Sequence, residues 1–198
     1  MSPHDPIETA IELLGRGEVV VLPTDTVYGL AVAPHDPRAI EALFELKGRP
    51  RSRAIPILAA DVEQLKEVAV FDSVARAVAA RFWPGPLTLV LPRAKGFDID
   101  LGGTGRATVA VRIPKSETAL ILMRSTGPLA VTSANLSGAP PATTSDEARA
   151  TFGERVACVL EGGKCNGEVS TIISLVGGPE VLREGPLGAK EVLQTVTS

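Results

Sequence analysis

The stretch at residues 17–30, GEVVVLPTDTVYGL, constrains the fold more than any other part of the chain. Residues 19–22 are four consecutive apolar side chains, three of them β-branched, the pattern of a strand covered on both faces as in the centre of an α/β sheet. Pro23 has no N–H to continue a ladder, so pairing should weaken there. The strand therefore delivers Thr24, Asp25, Thr26 and Tyr28 to its end. Hydroxyls and a carboxylate at such a place suit a ligand crevice, and an ordinary Asx or Ser/Thr turn would use the same residue types.

Helical and extended patterns alternate along the rest of the chain, which makes the class α/β. Residues 6–16 carry apolar side chains at 7, 10, 11, 13 and 14, one helical face. Asp36-Pro37 reads as an N-cap with proline at N1, opening a helix that turns Ile40, Leu43 and Phe44 inward. Further helices are expected over 61–68, 73–82, 117–125, 145–151 and 188–196, and extended segments over 54–59, 87–91, 108–113, 129–132, 156–161 and 171–176. No linker-like stretch divides the 198 residues, so one domain spanning 1–198 is the expectation.

With 44% apolar but only 4% aromatic residues, the core must be built from Val, Leu, Ile and Ala, which suits helices on a sheet. A net charge of −3 argues against a general nucleic-acid coat and leaves room for a local basic cleft. The N-terminus lacks the basic and apolar regions of a signal peptide, and no segment is long and apolar enough for a membrane span, so a soluble, cytoplasmic protein is expected. Cys158 and Cys165 are too far apart for a C-x-x-C pair and read as ordinary thiols. His4 and His35 lack a partner motif and receive no role.

Four cations fall within seven residues, Lys47, Arg49, Arg51 and Arg53, on what reads as an exposed loop leaving a helix. A solvated basic turn is one reading; a phosphate clamp is the other, since Arg offers forked donors and Lys a point charge. Residues 132–138, TSANLSG, again set short hydrogen-bonding side chains at a strand end, or form a plain turn. The glycines of 102–105 lack the ending of a phosphate-binding Walker loop and read as a turn. No Ser-His-Asp, Cys-His or H-E-x-x-H set is present, so nothing points to a protein nucleophile. What remains is equipment for positioning anions and stabilising charge at phosphorus.

Seven segments in register, PTDTVYGL at 23–30, KGRP at 47–50, WPGPLTLVL at 83–91, VAVRIP at 109–114, SANLSG at 133–138, STII at 170–173 and VLREG at 181–185, resemble the YrdC/Sua5 family. The resemblance implies a twisted mixed sheet with flanking helices around a large open cavity. It implies a synthase of threonylcarbamoyl-AMP, a nucleotidyltransferase that uses L-threonine, bicarbonate and ATP with Mg2+ for the t6A modification of tRNA. Its product would pass to a separate tRNA threonylcarbamoyl transferase, and the length resembles the short, single-domain members. Carried over by position, Lys47, Arg49, Ser133 and Asn135 match the catalytic polar core. Lys47, Arg51, Thr108, Ser133, Pro141 and Arg183 fall at ATP-contacting positions, and Thr24, Arg112 and Ser170 at threonine-contacting ones. The chain departs from the family pattern at Arg53-Ala54-Ile55 and at Ser174; metal ligands are not assigned. The competing readings are a double-stranded RNA-binding module, with weak RNA binding in the cavity, and a relative of hydrogenase-maturation carbamoyl-transfer proteins.

Overall fold

The computed structural model describes residues 5–196, so His4 lies outside the described residues. Helix α1 (Pro6–Gly15) is capped by Asp5, whose carboxylate accepts from the Ile7 N–H, and leads into strand β1 (Val20–Leu22), every residue of which is buried. The chain then turns through 23–28 and returns antiparallel as β2 (Gly29–Val32). The PTDTVY segment is thus the loop of a β-hairpin.

Asp36 and Pro37 cap α2 (Pro37–Lys47) as expected, and Gly48 ends it with φ of 60°, the left-handed conformation that glycine adopts without a Cβ penalty. Next come β3 (Ile57–Leu58), α3 (Val62–Lys66), α4 (Ser73–Phe82), β4 (Leu87–Pro92), β5 (Thr108–Arg112), α5 (Glu117–Thr126) and β6 (Leu129–Ser133). The chain closes with α6 (Ser145–Phe152), a 3-10 turn, β7 (Cys158–Val159), β8 (Thr171–Ser174), β9 (Glu180–Arg183) and α7 (Ala189–Val196). The extended segment expected over 54–59 shrinks to two residues because Pro56 cannot donate and the Ile55 N–H turns to the Leu101 carbonyl. The segment at 156–161 likewise shrinks to two. Strands β2 and β9 are not evident in the sequence pattern.

The strands form one mixed sheet in the order β7-β1-β2-β6-β3-β5-β4-β8-β9. Alternation along the strands assigns their faces. Val21, Leu30, Ile57, Val111, Leu89 and Ile173 point into the larger core, which α2, α4, α6 and α7 cover. On the opposite face α1 and α5 pack over Val20 and Leu22 of β1, Ala31 of β2, Leu58 of β3 and Leu129 and Val131 of β6. Among the described residues, the same face of β5, β4 and β8 contributes nothing to that helix-covered cluster. That uncovered half of a nine-stranded sheet is where a cleft opens.

Candidate functional site

The cleft holds about 260 Å³, and its floor is the open face of three strands: Arg112 and Ala110 from β5, Thr88 and Val90 from β4, Ile172 from β8 with Ser170 just before it. Period-two alternation fixes this set, because Val109, Val111, Leu87 and Leu89 point the other way into the core. The single hydroxyl inside the apolar run LTLVL, Thr88, is the sequence signal of this site face. Thr108, on the same face of β5, stands further out, opposite Pro92, while Ser174 of β8 lies level with Ala110 across Val90.

One end of the cleft is built by the 23–28 loop. Thr24 Oγ1 donates to the Val27 carbonyl at 2.6 Å and accepts from the N–H groups of Thr26 and Val27. This is the turn alternative in physical form: the hydroxyl of Thr24 shapes the loop, while the residue still lines the cleft. The loop is pressed from outside by 161–167, where Cys165 Sγ donates to the Thr24 carbonyl and a Cβ on Gly162 would stand 2.3 Å from Pro23.

Arg112 enters the same end. Its side chain is 6% exposed; Nε donates to the Gly85 carbonyl, Nη1 to Thr26 Oγ1 and Nη2 to Asp25 Oδ1 at 2.6 Å. One N–H on each terminal nitrogen is left over, so the guanidinium still has two donors to offer an acceptor such as a carboxylate. Ser170 stands nearby, its Oγ bonded to Thr88 Oγ1 and receiving Arg183 Nη2, while Arg183 Nε donates to the Ser170 carbonyl.

A second set of cations gathers around Ser133 and Thr132. Lys47 is not the exposed loop residue that its neighbours suggested: it is the last residue of α2, 3% exposed, and its Nζ donates to the Ser133 and Asn135 carbonyls at 2.6 and 3.0 Å and to Asn135 Oδ1 at 2.7 Å. A lysine leaving a helix is ordinarily a surface group, so only tertiary contact reveals the difference. Ser133 Oγ donates to Asn135 Oδ1, and Asn135 Nδ2 to the Ala139 and Leu136 carbonyls, closing the network. Arg49 donates to the carbonyls of Arg53 and Ala54 and to Thr132 Oγ1.

Among the described residues, neither Lys47, Arg49 nor Arg183 has a carboxylate within ion-pair distance. Burial, and secondarily the charge of Arg49, pulls the Lys47 ammonium down to about 7. The oxygens around Nζ and the negative end of α2 act in the other direction, favouring the charged form. Burial likewise lowers Arg49, Arg183 and Arg112, the last opposed by Asp25.

Structure therefore brings together Thr24, Arg49, Arg112, Ser133, Ser170 and Arg183 around one cleft, with Lys47 and Asn135 directly behind Ser133. Arg51 lies outside that lining, paired with Glu41 and stacked on the Phe44 ring at 4.3 Å. Pro141 is also outside it; its successor Ala142 bonds Ala134 and Tyr28 through the backbone. Cys158 and Cys165 are free thiols. No group of three His, Cys, Asp or Glu side chains gathers among the described residues, so these side chains do not form an all-protein metal cage. No described helix is long and apolar enough to cross a membrane.

The model of the Sua5/YciO/YrdC family, described as "Telomere recombination", matches residues 12–185. A Mycobacterium tuberculosis protein named as a putative threonylcarbamoyl-AMP synthase is 36% identical over 96% of this chain and 88% of its own length. The Pyrococcus abyssi threonylcarbamoyl-AMP synthase is 40% identical over 96% of this chain, which spans only 57% of that longer protein. Among solved structures, P. abyssi Sua5 complexed with L-threonine superposes with a TM-score of 0.87 at 38% identity, covering 96% of this chain and 56% of that one. Escherichia coli YciO superposes at 0.86 with 27% identity, covering 93% and 91%.

Proposed function

This chain belongs to the Sua5/YciO/YrdC family, and from that premise we propose that its cleft joins L-threonine, bicarbonate and ATP into threonylcarbamoyl-AMP with release of pyrophosphate. The observation that carries the reading is the pairing, in one cleft, of a carboxylate-ready fork on Arg112 with cations that have no anion of their own. Such cations are held for a ligand that brings negative charge, as a triphosphate does.

The threonine carboxylate sits on Arg112, beside Ser170 and the Thr24 turn. Its amine attacks CO2 derived from bicarbonate, forming an N–C bond and losing a proton to give a carbamate. A carbamate oxygen then attacks the α-phosphorus, the bond from that phosphorus to the bridging oxygen breaks, and the electron pair leaves on pyrophosphate. Lys47 and Arg49, with Ser133 and Asn135 fixing Lys47, stabilise the charge that develops there. About 260 Å³ is below the roughly 300–1,000 Å³ of a pocket for a drug-sized ligand, so the enclosed part suits the amino acid and its carbamate. The nucleotide extends outward past Arg183 toward Thr108, Arg51 and Pro141. Magnesium arrives with ATP as part of the substrate, taking most of its oxygens from the phosphates and water.

On this reading the protein is a nucleotidyltransferase of the cytoplasm, and its product feeds a separate transferase that forms t6A on tRNA. An RNA-binding module is not favoured, because the relatives that match nearly the whole chain carry the name of a threonylcarbamoyl-AMP synthase. The deciding experiment is mass detection of the adenylate together with pyrophosphate release. Both should require threonine and bicarbonate; equal ATP turnover with either omitted would leave a plain ATPase.

A further inference from the structure

The geometry points to Asp25 as a positioning residue that sets the orientation of the Arg112 guanidinium for the amino-acid carboxylate without touching the substrate. This rests on the reading that Arg112 receives that carboxylate. Asp25 does not line the cleft, although its neighbours Thr24 and Thr26 do. It lines instead a separate polar groove of about 410 Å³, together with Lys115, Glu117, Lys164 and Cys165. The carboxylate therefore reaches Nη2 from behind, at 2.6 Å, with its own side chain 13% exposed.

Of the three acceptors that hold the guanidinium, the Gly85 carbonyl is backbone, and Thr26 Oγ1 is shared with Thr24. Asp25 alone is charged, and hydrogen bonds to charged acceptors are the stronger kind. Asp25 is itself fixed from a second side, since Oδ1 also accepts the Lys115 N–H at 2.9 Å. Lys115 follows Arg112 by three residues, where the chain passes from β5 into α5, and Ser116 Oγ donates to the Pro23 carbonyl. One carboxylate oxygen thus ties the 23–28 loop to the strand end that bears Arg112. With Nη2 pinned on its rear side, the remaining N–H groups are directed at the cleft. Without the pin the guanidinium is free to turn about its own bonds.

The test uses Asp25→Ala and Asp25→Asn in the full chain, with KM for threonine and for ATP measured separately by pyrophosphate release. Losing a charged hydrogen bond that orients the fork should raise the threonine KM of Asp25→Ala on the order of ten- to a hundredfold, with the ATP KM within about twofold. Asp25→Asn keeps the volume and an accepting oxygen but not the charge, and should raise it about three- to tenfold. Because the groove opens onto the vacated position, added formate should lower the threonine KM of Asp25→Ala and not that of the unaltered protein. A threonine KM within about twofold of the unaltered protein in both variants overturns the inference, as does an equal rise for both substrates with no formate response. Should Asp25→Ala fail to fold, the isosteric Asn variant decides alone. Arg112→Lys run alongside separates the two claims. If it too leaves threonine KM unchanged, the carboxylate reading has failed; if only the Asp25 variants are silent, the positioning role has failed.

Discussion

Lys47 and Arg112 are both buried cations, Arg112 in the lining of the cleft and Lys47 directly behind Ser133, and they are satisfied in different ways. Arg112 has a carboxylate, Asp25, against it. Lys47 has only neutral oxygens, two carbonyls, an amide and a hydroxyl. A buried charge without a counter-ion is costly, and on the proposed function that cost is offset when a ligand brings negative charge. At Arg112 the charge is already balanced by Asp25, and on the proposed function what the residue adds is direction for an incoming carboxylate. On that proposal Lys47 answers to the charge of the ligand and Arg112 to its shape.

The sharpest way to break this comparison is Lys47→Met, which keeps the aliphatic stem and removes the charge. If the ammonium supplies transition-state stabilisation of about 3–4 kcal/mol, pyrophosphate release at saturating substrates should fall on the order of a hundred- to a thousandfold. The melting temperature without ligand should hold or rise, because the desolvation cost of an unpaired charge disappears. A rate within a few-fold of the unaltered protein would mean that the unpaired cation is structural.

Arg112→Lys probes the other cation and should cost less. A lysine keeps the charge beside Asp25 but cannot bond Gly85, Thr26 and Asp25 while still offering a fork. Losing one charged hydrogen bond costs about 1.5–3 kcal/mol, so threonine affinity should fall roughly ten- to a hundredfold. ATP affinity should hardly move. Calorimetry of both ligands on one variant checks this, and a loss confined to ATP would move the carboxylate clamp elsewhere.

How much of this contrast the sequence reveals depends on whether local chemistry or tertiary contact decides a position. The β1 run and the Asp36-Pro37 cap are local, and they stand where the pattern puts them. Strand β2 is hidden because Gly29 opens it and every residue is buried, so no alternation marks it. Strand β9 is hidden for the opposite reason: all its residues are exposed, and its edge position leaves no periodic burial to read. The site residues divide in the same way. Arg112 shows as a charge at the end of an apolar strand, whereas the burial of Lys47 depends on Ser133 and Asn135, more than eighty residues away along the chain. The carboxylate of Asp25 is visible in PTDT, but its partner lies on a distant strand.

The unpaired state of Lys47 also has a signature in solution. The unfolded chain keeps this lysine protonated up to about 10.5, while the folded protein releases the proton near 7. Between those values the unfolded state binds more protons, so this group's contribution to stability rises with pH and is lost as pH falls back toward about 7. The slope is at most about 1.4 kcal/mol per pH unit. Denaturant unfolding at pH 7 and pH 9 should show a rise that Lys47→Met removes. A variant that retains the full rise would show that the oxygens around Nζ keep the lysine charged across the whole range.

The smallest effect is expected at a cation that is both paired and exposed. Arg51 leans on Glu41 and on the Phe44 ring, with about half of its side chain in solvent. To reach a nucleotide it must leave Glu41, exchanging one surface ion pair for another, and such pairs are worth about 0–1 kcal/mol. Arg51→Ala should therefore weaken ATP binding only a few-fold. Glu41→Gln makes the argument sharper by reversing the sign: it frees Arg51 without adding charge to the cleft, and ATP should bind up to about threefold more tightly at low salt, the gain fading as salt rises. Weaker binding by Glu41→Gln would mean that the pair holds Arg51 in its working position, which would place it with Arg112 as an oriented cation rather than a spare one.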